Sequence, residues 1–195
     1  MKIKLLACVA LCSALLGCST VPAPEPVVFE TVECVTPTLN ARKSLLLIQN
    51  IHTNYYGTAE NISAKNANFE AYLATNSREV KLSILLMSHR AWDISYNGQM
   101  IFEERESIVP QELQAAHLLR DITLSYWPEN AIERQSRKLD IVDSKNTRKV
   151  IDRLTGETLV DIRYEGGASI TNPIGRIVLN NHKEQYELVI DSRQP

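Results

Sequence analysis

Apolar and polar residues alternate along much of the chain, most clearly between residues 80 and 86. Val80, Leu82, Ile84 and Leu86 stand at every second position with Lys81 and Ser83 between them, the pattern of a half-buried strand. Alternation resumes after Ser88-His89-Arg90 with Trp92, Ile94 and Tyr96. Asn97-Gly98 follows, and both residue types tolerate the positive φ that a type I′ hairpin turn requires. The return strand is then Met100 to Glu106. Upstream, Leu45 to Tyr56 and Asn68 to Ala74 are apolar, β-branched or aromatic enough to be strands. These segments predict an antiparallel meander.

The period then changes. Ala115, Leu118, Leu119 and Ile122 stand at i, i+3, i+4 and i+7, which places one apolar stripe on a helix. Arg120 and Asp121 fall outside that stripe. Pro110 suits the first turn of this helix, where its missing N–H costs nothing. Tyr126-Trp127-Pro128 ends it, because the residue before a proline is steered out of the helical region. Asn130 to Ser136 adds a short second helical turn. Beyond Lys138 strands return at Leu139–Val142, Arg148–Leu154, Glu157–Tyr164, Ile174–Leu179 and Gln185–Ile190. The reading is mainly β within an α+β class, about ten antiparallel strands interrupted by one helical insertion.

The first 17 residues have a different logic. Lys2 and Lys4 precede an apolar core from Leu5 to Leu16, and Gly17 precedes Cys18. A core of about a dozen residues is shorter than the roughly 20 that span a bilayer, and it fits a processed signal peptide. Residues 18–42 read as a tether, since Val21-Pro22-Ala23-Pro24-Glu25-Pro26 favours the extended polyproline conformation of a semi-rigid spacer. Residues 43–195 are left as one periplasmic β-rich domain.

Charge and cysteine content narrow the function. The full chain has a formal net charge of -2; loss of Lys2 and Lys4 with the signal makes the remainder more acidic. That balance excludes nucleic acid as an expected partner. Cys8 and Cys12 leave with the signal, so Cys18 and Cys34 remain. Cys34 reads as an idle thiol in the tether or as one that pairs with another protein.

Catalytic chemistry leaves little trace. His52, His89, His117 and His182 are scattered, with no pair at i, i+4, and the chain has no His-Glu-x-x-His, Cys-x-x-Cys or Gly-x-Ser-x-Gly. Neighbours in Glu103-Glu104-Arg105-Glu106 point to opposite faces of a strand, which reads as a solvated edge. No enzyme activity, cofactor or metal is therefore expected. An apolar cavity needs no such motif, because each buried methylene contributes about 0.8 kcal/mol. The candidates to line one are Phe69, Leu82, Ile84, Leu86, Trp92, Ile94 and Phe102 from the sheet, and Leu118, Leu119, Ile122 and Trp127 from the helix. Mutual packing of the same residues in a filled core is the alternative. Leu85 and Met87 fall on the opposite face, which suggests a covered second side or an exposed docking patch.

Two resemblances sharpen this picture. The ending Leu15-Leu16-Gly17-Cys18 resembles the lipobox of bacterial lipoproteins, which implies cleavage before Cys18, its acylation, and membrane attachment without a spanning helix. Ser19, rather than Asp, after that cysteine implies export to the outer membrane. Leu118-Leu119 through Tyr126-Trp127-Pro128, with Ile177-Val178-Leu179-Asn180-Asn181 and Tyr186-Glu187-Leu188-Val189-Ile190, resemble lipoproteins encoded alongside aryl polyene biosynthesis. More distantly, the order of elements is similar to the outer-membrane lipoprotein receptor LolB. That resemblance implies an incomplete antiparallel β-barrel with a helical cap and a cavity for acyl chains. The expected role is a receptor or carrier for an amphiphilic ligand, loaded from a periplasmic carrier protein. The alternative is a docking lipoprotein with a filled core.

Overall fold

The structure, a computed structural model, describes residues 35–40, 44–56, 66–110 and 113–195. The signal segment, Cys18, Ser19, Cys34 and the proline-rich run lie outside the described residues.

Five strands precede the helices: β1 Leu45–Tyr55, β2 Asn66–Thr75, β3 Val80–Leu86, β4 His89–Tyr96 and β5 Ile101–Arg105. Helices α1 Ala115–Tyr126 and α2 Glu129–Glu133 follow. Five more strands close the chain: β6 Leu139–Asp143, β7 Thr147–Asp152, β8 Thr158–Glu165, β9 Gly175–Asn181 and β10 Tyr186–Arg193. All ten form one sheet in the order β5-β4-β3-β2-β1-β10-β9-β8-β7-β6, with every neighbouring pair antiparallel. The sheet is not closed, and it matches an incomplete barrel with a small helical part. The first and last strands meet at its centre, where Ile51 faces Ile190. The helices connect the two edge strands.

Alternation decides which face is inside. Leu47, Leu73, Leu82, Ile94, Ile162, Ile177 and Ile190 are buried on the inner face, each contributing about 1.5–3 kcal/mol by leaving water. A bulge in β4 puts Ala91 and Trp92, both buried, beside the Ile84–Leu85 step of β3. The extra residue bends the strand there.

Helix α1 lies against this inner face and is enclosed by it. Nine of its twelve residues are buried, including Arg120, Asp121, Thr123 and Ser125. The strands bond it directly. Gln49 donates to the Tyr126 hydroxyl at 2.7 Å, and the Tyr164 hydroxyl donates to the Ser125 carbonyl at 3.0 Å. Arg148, fully buried, donates to the carbonyls of Leu124 at 2.6 Å and Trp127 at 2.8 Å. Those carbonyls belong to the last turn, which has no partners within the helix. Asp143 neutralises the same guanidinium through two bonds, 2.7 and 2.8 Å.

Several expectations need correction. Arg120 and Asp121, outside the apolar stripe, are buried all the same, because the sheet wraps around α1. The helix begins at Ala115 rather than at Pro110; Gln114 before it is extended. Asn97 does not adopt positive φ and only Gly98 does so in that loop, which spans four residues between paired Tyr96 and Ile101. Asn97 instead accepts from the N–H groups of Gln99 and Met100. The two-residue turn with two positive φ values is Met87-Ser88, at 50° and 65°, between paired Leu86 and His89. Met87 is 89% exposed at its tip, so no described element covers it. Phe102 follows buried Ile101 and points away from the core.

Candidate functional site

A cavity of about 270 Å³ lies between the inner face of the N-terminal half of the sheet and α1. Phe69 of β2, Ile84 and Leu86 of β3, Trp92 of β4 and Leu188 of β10 supply its apolar wall. Leu118 of α1 faces them, and Val109, Pro110 and Leu113 of the β5–α1 connection complete the apolar lining.

That connection is held by Arg105. Its Nη2 donates to the Leu113 carbonyl at 2.6 Å and to Glu103 at 3.2 Å, and its Nη1 reaches the Pro110 carbonyl at 3.4 Å. The guanidinium lies over the Trp92 ring, and the Trp92 indole N–H donates to Glu103 at 3.0 Å. A cavity wall is thus fixed by a polar network at the sheet edge.

The remaining lining is polar. Thr53 and Tyr55 of β1, Gln114, His117 and Asp121 beside or within α1, and Glu184 and Tyr186 around the β9–β10 turn contribute it. Arg120 binds this group together. It donates to Asp121 at 3.0 Å, to both oxygens of Glu184, and to the Tyr186 hydroxyl at 2.8 Å. Tyr186 donates in turn to the second Asp121 oxygen and accepts from Asn181 at 3.2 Å. His117 lies 3.8 Å from Glu184. The Tyr55 and Tyr186 rings pack with centroids 5.5 Å apart.

Burial sets the titration of this group. It pushes the Asp121 carboxyl up, against the opposing pull of Arg120 and of the Tyr186 hydrogen bond. Burial and the Asp121 charge push the Tyr186 phenol well above its ordinary value. Glu184 moves down: its burial is outweighed by the hydrogen bonds and charge of Arg120. Burial works against the Arg120 charge, but Asp121, Glu184 and Tyr186 outweigh it and keep the guanidinium protonated.

Of the residues expected to line a cavity, Phe69, Ile84, Leu86, Trp92 and Leu118 do so. Leu82, Ile94, Leu119 and Ile122 are packed into the core instead. Trp127 is buried elsewhere, its indole N–H on the Thr38 carbonyl at 2.9 Å. Phe102 is outside. The polar end was missed entirely. Its one sequence signal was the adjacent Arg120-Asp121 pair, the two formally charged residues of α1.

A second cavity, about 320 Å³, is lined by Arg120, Asn181, Lys183 and Glu184 together with Val150, Leu159 and charged residues of the C-terminal half. The two cavities share Glu184. The first has the more apolar wall and is the better ligand site. Among the described residues no cluster of His, Cys, Asp or Glu could hold a metal ion, and no helix is long and apolar enough to cross a membrane.

Comparison with known proteins places residues 49–194 in a family described as "Protein of unknown function (DUF3261)". That match covers most of the chain, and the chain belongs to this family. No curated protein matches it. Among solved structures, a DUF1329 family protein from Desulfovibrio piger is similar at 8% identity with a TM-score of 0.33, over 78% of this chain and 85% of the other.

Proposed function

We propose that this member of the DUF3261 family is an outer-membrane lipoprotein, anchored through Cys18 and facing the periplasm, that receives or carries an amphiphile with one apolar chain. The observation that carries the reading is the cavity between the sheet and α1, with an apolar wall and a polar end. Its volume lies just under the ~300–1,000 Å³ of small-molecule pockets, a scale that suits one chain rather than a whole bilayer lipid. The lipobox-like ending at Cys18 and Ser19 supports the anchor and its location. The resemblance to LolB and to the lipoproteins of aryl polyene biosynthesis supports an acyl or polyenyl chain as cargo. Transfer is passive: a periplasmic carrier delivers the amphiphile, burial holds it, and the membrane takes it up.

The role is not enzymatic in this reading. Asp121, Glu184 and Tyr186 are each already engaged, by Arg120 and by one another, so the group serves as a rigid polar wall. One observation favours a docking role as the second reading: Met87 stands almost fully exposed at the β3–β4 tip.

Native mass spectrometry of the protein purified from its host, with organic extraction, tests the carrier reading. The expected result is a stoichiometric lipid or polyene, lost in Ala67→Phe, which projects a ring into the cavity. A ligand-free mass that persists after acyl lipids are offered overturns the carrier reading and leaves docking.

A further inference from the structure

The polar end of the cavity sets which head group its ligand carries, given the amphiphile reading above. Arg120 is the cation of that end, and four of its five N–H donors are spent on Asp121, both oxygens of Glu184, and Tyr186. It presents no free donor fork to a carboxylate or phosphate, which guanidinium groups otherwise recognise through two parallel bonds. Asp121 and Glu184 line the cavity and Arg120 does not, so the wall turns acceptors rather than the cation toward a ligand. His117 is itself turned to Glu184. Lys183 lines the neighbouring cavity rather than this one.

What the wall does offer is hydrogen bonding to uncharged or positive groups. Glu184 and Asp121 bring carboxyl groups to the cavity lining, Glu184 the more exposed of the two. Tyr55 adds a phenol and Gln114 an amide, both lining residues at the solvent-accessible side. A hydroxyl or ammonium group can donate to the Glu184 oxygens; an anionic head meets those acceptors and the Glu184 charge instead.

We propose that the cavity selects single-chain amphiphiles whose head is a neutral hydroxyl-type group or an ammonium, and discriminates against carboxylate and phosphate heads. Glu184, held by Arg120 at the boundary of both cavities, is the residue that sets this preference.

Decanol, decylammonium and decanoate share one chain and differ at the head. Their binding to the full chain carrying Cys18→Ser, at a pH where decanoate is ionised, is read by native mass spectrometry and by Trp92 emission in Trp127→Phe. Decanol and decylammonium are expected to bind at least about tenfold more tightly than decanoate, a difference of roughly 1.4 kcal/mol. Glu184→Gln is expected to narrow the gap by strengthening decanoate binding. Equal binding of all three, or tightest binding of decanoate, overturns the head-group selection and leaves the carrier reading intact. Binding of none overturns the carrier reading, and the selection with it. An unchanged gap in a folded Glu184→Gln removes that residue's role.

Discussion

The Arg105 guanidinium sits 4.0 Å above the centre of the Trp92 indole, and both side chains share the Glu103 carboxylate. One residue thereby couples the sheet edge to the connection over the cavity, since Arg105 also holds the Leu113 carbonyl. A cation over an indole contributes about 0.5–2 kcal/mol depending on solvation. Arg105→Met keeps the aliphatic stem but loses the stacking charge and the carbonyl contacts. We expect faster hydrogen exchange at the Val109 amide, which normally donates to the Glu106 carbonyl, and weaker ligand retention, with global stability reduced by only about 1–2 kcal/mol. Unchanged exchange at Val109 would show that the connection holds itself.

Arg148 has the opposite character, and its loss is expected to be severe. It is fully buried, paired with Asp143, and bonded to two helix carbonyls. Arg148→Met leaves Asp143 without its buried cation and both carbonyls unpaired. Breaking such a pair costs about 3–5 kcal/mol, read as the fall in urea midpoint. Arg148→Lys is expected to recover little, because one ammonium cannot replace a planar fork serving three groups.

Asp121 and Glu184 predict pH dependences of opposite sign. The raised value of Asp121 means the folded protein holds a proton that the unfolded chain has released. Its contribution is full below the ordinary carboxylate range and is lost as pH rises through the raised value. Glu184, lowered, contributes above the ordinary range and loses that contribution as pH falls through its lowered value. Urea unfolding from about pH 2 to 8 tests both, the acid end reading Glu184 and the upper end Asp121. The stability difference between wild type and Asp121→Asn is expected to shift against the wild type as pH rises, and that for Glu184→Gln in its favour. Parallel slopes would contradict the assignment of the two carboxylates.

Membrane attachment rests on Cys18 in the proposed reading. Cys18→Ser is expected to move the protein from the membrane to the soluble periplasmic fraction and to abolish labelling by radioactive palmitate. Continued membrane association with no loss of label would remove the anchor from the proposal.

The strands were legible because alternation is a local property, and the sheet's one-sided burial preserves it. Leu82, Ile84 and Ile94 are inside as their spacing requires. The site was less legible for two physical reasons. An amphipathic stripe locates a wet face only when the helix has one, and α1 is wrapped by strands that accept its polar residues: Arg120 finds Glu184, far along the chain, and Tyr126 finds Gln49. Positive φ at Met87 and Ser88 likewise has no compositional mark. The Asn97-Gly98 pair carried that mark, yet Asn97 serves there as a side-chain acceptor. Phe102 was misplaced because one residue of register decides the face, and Ile101 takes the inner position.

The pairing of β1 with β10 also governs how the molecule comes into being. The strand that emerges first must leave one edge unpaired until the last residues arrive, with Gln49 waiting for Ser192 across 143 positions. Such distant closure is slow compared with local hairpins, and an exposed apolar edge invites pairing with other chains. Loss of β10 therefore does not trim a margin of this protein; it parts the two halves along the middle.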